Sequence, residues 1–158
     1  MNTEHAAEAI FLERDILATI PLTRAMQLRV ARFDGATLRL VAPLAPNVND
    51  KGCAFGGSLA SLLTLACWGL ARLGLRAQGH DPDIYVQDSV IDYVAPVWGE
   101  IRVDASAAEG HSLADFVAMY AARGKARITL LAGVAGESGF ATTLRARFVA
   151  KRRVEEDT

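Results

Sequence analysis

The chain has 158 residues, 51% of them hydrophobic and 22% charged, with a formal net charge of −1. That length suits one folded domain with a real core, and a near-neutral balance gives no electrostatic case for nucleic acid or an anionic membrane as partner. The two cysteines, Cys53 and Cys67, form no CxxC pair and have no His cluster nearby, so neither a disulfide framework nor a zinc site is indicated. They read as buried thiols of a cytoplasmic protein.

In chain order, residues 3–18 form the first predicted helix, with Ala6, Ala9, Ile10, Leu12, Ile16 and Leu17 on its inward face and Pro21 just past its end. Its acidic start, with Glu4 and Glu8, lacks the basic and apolar regions of a signal peptide. Residues 25–33 and 36–42 read as paired strands joined at Asp34-Gly35. After a turn-rich loop at 45–52 comes a stretch without charge, 52–71, about as long as a membrane span. Its glycines, Ser58, Ser61, Thr64 and many alanines favour a helix over 54–73 that is buried on every side, with Gly74 as its stop.

Beyond the polar loop 78–83, four strands are predicted: 84–94, 100–107, 126–135 and 140–150. Pro96 and Gly99 mark one turn, Gly136 to Gly139 another, and residues 112–122 read as a short helix or a distorted strand start. The charged tail 152–158 is predicted to fray. Six strands and one all-apolar helix predict an α+β domain spanning 1–158: a curved antiparallel sheet wrapped over the helix, with the N-terminal helix added.

Two motifs narrow the reading. Asn49-Asp50-Lys51-Gly52-Cys53-Ala54-Phe55-Gly56-Gly57-Ser58-Leu59 resembles the loop-to-helix segment of hotdog-fold thioesterases. There an Asn precedes His-Gly-Gly and the central helix by six residues. Ile91-Asp92-Tyr93-Val94-Ala95-Pro96-Val97-Trp98-Gly99-Glu100 resembles the strand, turn and strand that follow in the same superfamily. More narrowly, the first motif is similar to the thioesterase domain that some bacteria fuse behind a GNAT-type acetyltransferase.

The resemblance implies a bacterial acyl thioester hydrolase of fatty acid metabolism. Its substrate would be carried on coenzyme A or on the phosphopantetheine arm of an acyl carrier protein, with no metal and no separate cofactor. It also implies a homodimer, or a homotetramer built from dimers, paired through third strands with the site between protomers. The Gly57 N–H would be the oxyanion donor, and Asn49 would orient the water or the carbonyl. Physics supports the placement: first-turn N–H groups lack intrahelical partners, glycine permits close approach, and the helix dipole favours developing negative charge. Phe55, Gly56 and Ser58 would contact the substrate, with Phe55, Leu59, Leu62 and Leu63 lining an acyl tunnel.

Two departures bear on the base. Phe55 stands at the His position, and Thr64 stands where many of these enzymes carry an acid, seven residues after the second glycine. A threonine hydroxyl holds a water but is no general base at neutral pH. Asp50 and Asp88 are therefore the candidate bases. A regular strand puts Ile84, Val86, Asp88, Val90, Asp92 and Val94 on one face, and burial among them would raise a carboxyl's pKa. Arg123, Lys125 and Arg127 alternate, and as a strand face they would meet substrate phosphates. His5, His80 and His111 read as surface residues. Trp68, Trp98, Tyr85 and Tyr93 read as core or interface. The alternatives are a non-catalytic acyl-thioester binding protein and, lacking a His at Phe55, less favourably a hydroxyacyl-thioester dehydratase.

Overall fold

The computed structural model describes residues 2–154; the end of the charged tail, 155–158, lies outside the described residues. Helix α1 covers Thr3–Thr19, with the Asn2 side chain accepting from the Glu4 N–H as its cap. Pro21 does not merely end it. It opens a second short helix, α2, over Pro21–Ala25, so strand β1 begins only at Arg29 rather than at residue 25. Strands β1 (Arg29–Phe33) and β2 (Leu38–Ala42) flank a turn in which Asp34 Oδ1 accepts from the N–H groups of Ala36 and Thr37.

The uncharged segment forms α3, Gly56–Arg76. Gly74 does not stop it; that glycine lies inside the last turns, where an added Cβ would stand 3.4 Å from Leu113. Strands β3 (Asp83–Tyr93) and β4 (Ile101–Ala107) follow. Residues 113–123 settle as a helix, α4, opened by the Ser112 hydroxyl and closed by Gly124 in the left-handed region at φ 67°. Strands β5 (Lys125–Gly136) and β6 (Gly139–Lys151) make a hairpin around Glu137 and Ser138.

All six strands join one antiparallel sheet in the order β1-β2-β4-β5-β6-β3. Its inward residues, among them Leu40, Val103, Leu130 and Phe148, close on α3, which buries Leu62, Leu63, Ala66, Cys67 and Leu70 completely. Each fully buried leucine contributes about 1.5–3 kcal/mol, so wrapping the sheet around α3 is the dominant favourable term. By length and composition α3 could cross a membrane, but here its apolar surface is core. α1 packs on β1 and reaches α3 through Leu12, which meets Gly69 beside Leu38 of β2. This is the hotdog arrangement expected from the element order.

β3 departs from regular pleating. It pairs with β6 as Val86↔Phe148 and then Asp88↔Arg147, leaving Gln87 as a bulged residue. One extra residue reverses the side-chain parity. Ile84 and Val86 point to the helix side before the bulge, and Ser89, Ile91 and Tyr93 do so after it, opposite Ala146, Leu144 and Thr142. Asp88, Val90 and Asp92 therefore lie on the outer face, which corrects the single face predicted for residues 84–94.

Candidate functional site

The loop before α3 is built mostly from its own amides. Asn47 is buried, and its Nδ2 donates to the carbonyls of Met26 (2.9 Å) and Pro43 (2.8 Å). Its own carbonyl accepts from the Phe55 N–H at 2.7 Å, and Ala54 N–H donates to the Val97 carbonyl at 2.8 Å. The helix start is thereby pinned to the turn after β3.

Asn49 is committed inside this loop. Its Oδ1 accepts from the N–H groups of Lys51 (2.8 Å) and Cys53 (3.2 Å), and its Nδ2 donates to Cys53 Sγ at 3.2 Å. It shapes the loop as an Asx turn. Asp50 faces solvent, its side chain 80% exposed and paired with Lys51 at 2.9 Å.

At the helix start no side chain caps α3. Among the described residues, no acceptor engages the N–H of Gly56, Gly57 or Ser58; the first closed bond runs from Leu59 N–H to the Phe55 carbonyl at 3.0 Å. These orphan donors sit at the positive end of a 21-residue helix. Beside them opens a crevice of about 270 Å³ lined by Ala54, Gly56, Leu59, Tyr93, Val94, Ala95 and Pro96. A second hollow of about 590 Å³, which shares Val94, Ala95 and Pro96, runs on toward the β5–β6 hairpin. The crevice borders Gly56 rather than Gly57. An added Cβ on Gly57 would stand 2.4 Å from the Phe55 ring, so that aromatic lies over the second glycine.

The other predicted residues are distributed as follows. Ser58 lies half-buried in the first turn of α3. Thr64 donates its hydroxyl to the Ala60 carbonyl at 2.8 Å, the ordinary back-bond of a helical threonine. Leu62 and Leu63 are fully packed in the core and line none of the hollows described; of the predicted acyl tunnel, Leu59 alone borders the crevice.

Asp88 is not a buried base. On the outer face it accepts both Arg147 Nε contacts at 2.9 Å, and this guanidinium holds its carboxyl below the usual range, the reverse of the rise expected from burial. Arg123 ends α4 rather than joining a strand, so only Lys125 and Arg127 share the outer face of β5. Cys67 is buried, and desolvation pushes its thiol up, which makes it inert.

The histidines lie away from the crevice. His5 meets Phe33 edge-on and His80 meets Tyr120 edge-on, both at 5.2 Å, and both border a hollow of about 500 Å³ at the far end of α3. A helix of that length puts them roughly 30 Å from Gly56. His111 Nδ1 accepts a long 3.4 Å contact from Thr129 N–H. Among the described residues, no three His, Cys, Asp or Glu side chains gather as a metal site requires. Trp68 is half-buried and donates to the Ile84 carbonyl at 3.2 Å; Trp98, Tyr85 and Tyr93 are exposed.

The residue missed by pattern reading is Tyr93. Its hydroxyl donates to the Gly56 carbonyl at 3.2 Å, so this phenol stands at the mouth of the crevice. Tyr85 and Val90 blur the alternation along β3, so the pattern does not reveal the inserted residue.

A six-stranded antiparallel sheet wrapped over one long central helix defines a hotdog-fold protein. The family described as "Putative thioesterase (yiiD_Cterm)" matches residues 10–152, and the chain belongs to that family. A Chlorobaculum tepidum protein of unknown function is similar at 31% identity and TM-score 0.84, over 92% of this chain and 94% of its own. A "putative thioesterase" from Shewanella oneidensis is similar at 26% identity and TM-score 0.82, over 92% and 99%. A Pseudomonas aeruginosa protein called "Probable Thioesterase" shares the fold at 22% identity and TM-score 0.72, over 97% of each chain.

Proposed function

We propose that this protein hydrolyses acyl thioesters carried on coenzyme A or an acyl carrier protein, without a metal. The observation that carries the reading is the set of uncapped N–H groups of Gly56, Gly57 and Ser58 beside an open crevice. The substrate's carbonyl oxygen would lie against the open first-turn N–H groups at the Gly56 end of the crevice, where negative charge developing under water attack is stabilised by fixed donors and the helix dipole. Removing one such donor costs about 10²–10³ in turnover in well-studied acyl-transfer enzymes. The acyl chain would run along Leu59 and the Val94–Pro96 wall. Asn49 supports the site by shaping its loop.

The site is completed in this reading by a second copy. β3 is an edge strand, and Val86, Val90, Tyr93, Val94 and Trp98 are exposed along and just beyond it. An edge of this kind is a template for pairing. Two copies joined there would close the crevice.

A second reading, acyl-thioester binding without turnover, is favoured by one observation: no carboxylate lines the crevice. Thiol release from acyl-CoA substrates of short to long chain separates the two. Turnover supports hydrolysis. Tight binding with no thiol released would replace it with the binding reading.

A further inference from the structure

The hollow that adjoins the crevice leads on to the other face of the sheet. It shares Val94, Ala95 and Pro96 with the crevice and reaches Phe140 at the β5–β6 hairpin. The Phe140 ring lies over Gly133 of β5, where an added Cβ would stand 2.4 Å from it. Gly133 belongs to the outer face, since its neighbours Ala132 and Val134 are buried against the core. On the far side of that ring opens a third hollow, of about 450 Å³, bordered by Leu131, Gly133, Thr143 and Arg145. The three hollows together make a groove from the Gly56 end of α3 to the outer face. It rounds the sheet at the hairpin end rather than across the β3 edge.

The groove changes its charge along its length. Beside the crevice it is rimmed by Glu100 and Glu137, with no Lys or Arg in its lining. That part suits an uncharged chain and repels a phosphate. The outer hollow is bordered by Arg145, whose direct neighbours across the ladder are the apolar Val90 and Leu131. Arg39 and Arg147 on the same face are taken up by Asp104 and Asp88, whereas Arg145 has no ion pair among the described residues. Of the carboxylates bordering the hollow, Asp104 is held by Arg39 at 2.7 Å, and Asp92 lies one rung back toward the hairpin. Farther along, Lys125 stands directly opposite Lys151, with Arg127 beside them, and these three also lack ion pairs among the described residues. Like charges directly opposite one another destabilise a ladder. Cations thus gather on the outer face of β5 and β6 in a chain of net charge −1, a field that draws an anion.

We infer that Arg145 binds the phosphate of the substrate's carrier, and that this carrier is coenzyme A. The inference rests on the thioester reading above. With the carbonyl at the Gly56 end of the crevice and the acyl chain against Leu59, the uncharged pantetheine arm leaves past Pro96. It crosses Phe140 and Gly133 and delivers its phosphate to Arg145. A guanidinium suits this contact because its fork gives two parallel N–H bonds to one phosphate. Arg145 stands opposite Val90, three residues or roughly 10 Å along β3 from Tyr93, and on the other face of the sheet, roughly another 10 Å away. An extended arm with as many bonds as a five- or six-residue peptide covers roughly 20 Å. Coenzyme A carries further phosphates beyond that point, where Lys125, Arg127 and Lys151 lie ahead of them. The arm of an acyl carrier protein has no further phosphate to offer.

Arg145→Gln removes the charge at an exposed strand position and leaves the core untouched. Thiol release is followed with one acyl group carried on coenzyme A and on pantetheine, which lacks every phosphate. The expected result is a loss of about tenfold in kcat/KM toward acyl-CoA, carried by KM, and of less than about twofold toward acyl-pantetheine. Calorimetric titration with an acyl-CoA ketone, in which a methylene replaces the sulfur, should show the same tenfold loss of affinity. Added salt should narrow the wild-type preference for acyl-CoA. Equal losses toward both substrates, or an unchanged Kd for the ketone, overturn the role of Arg145 and leave the thioesterase reading standing. A loss seen only when the acyl group rides on a carrier protein overturns the assignment to coenzyme A. Wild type that binds the ketone but releases no thiol overturns hydrolysis alone, and wild type that does neither overturns both.

Discussion

Both ends of the Asn49 amide are committed within its own loop, to Lys51, to the Cys53 N–H and to Cys53 Sγ. Asn49→Ala should therefore lower stability by about 1–2 kcal/mol in chemical denaturation, because the loop loses its Asx acceptor. Its effect on turnover would follow from displacement of the helix start. Asp34 allows a pH test with a definite sign. The N–H groups of Thr37 and Ala36, the larger causes in that order, hold its carboxyl below the ordinary value of 3.8. A depressed folded-state pKa gives stability that is present above the unfolded value and lost as pH falls through the folded one. Wild type should thus exceed Asp34→Asn in melting temperature near pH 7, and the gap should narrow below about pH 4. A gap that widens on acidification would contradict the turn geometry. At the same scale, Asp88→Asn should leave kcat unchanged, since Asp88 faces outward against Arg147.

Among the elements, α3 was legible as an uncharged run and the strands by alternation and by strong turn residues, such as Gly136 and Gly139, although β1 and β6 also carry bulged residues, Ala31 and Ala141. β3 was legible as a strand but not in its faces, because a single bulged residue, Gln87, reverses parity without altering composition. That reversal moved Asp88 off the site and brought Tyr93 to it. Arg123 was misplaced for a different reason: Gly124 ends α4 in the left-handed region, and alternating charge across such a boundary imitates a strand face. The glycine pair was legible as a helix start, whereas the ring of Phe55 over Gly57 is a matter of packing that spacing does not encode. Gly69 offers a packing test. An added Cβ there would stand 2.9 Å from both Leu12 and Leu38, so close approach of α1 and β2 to α3 depends on it. Gly69→Ala should cost about 1–3 kcal/mol through overpacking, despite the roughly 1 kcal/mol that alanine gains in a helix interior.

Over the whole molecule, core and site make opposite demands on one helix. The sheet buries one face of α3, from Leu59 to Leu75, but its first turn is left open to the crevice. The unpaired edge of β3 governs assembly in the same reading. Val90→Glu, on that edge between Asp88 and Asp92 and 66% exposed in the single chain, should shift the protein toward monomer in light scattering coupled to gel filtration. The open amides themselves are tested most directly by ¹H–¹⁵N NMR during titration with a non-hydrolysable acyl-CoA ketone. The N–H resonances of Gly56, Gly57 and Ser58 should move downfield, together and further than any others. If those three stay fixed while residues elsewhere respond, for instance around His5 and His80, the start of α3 is not where the carbonyl binds.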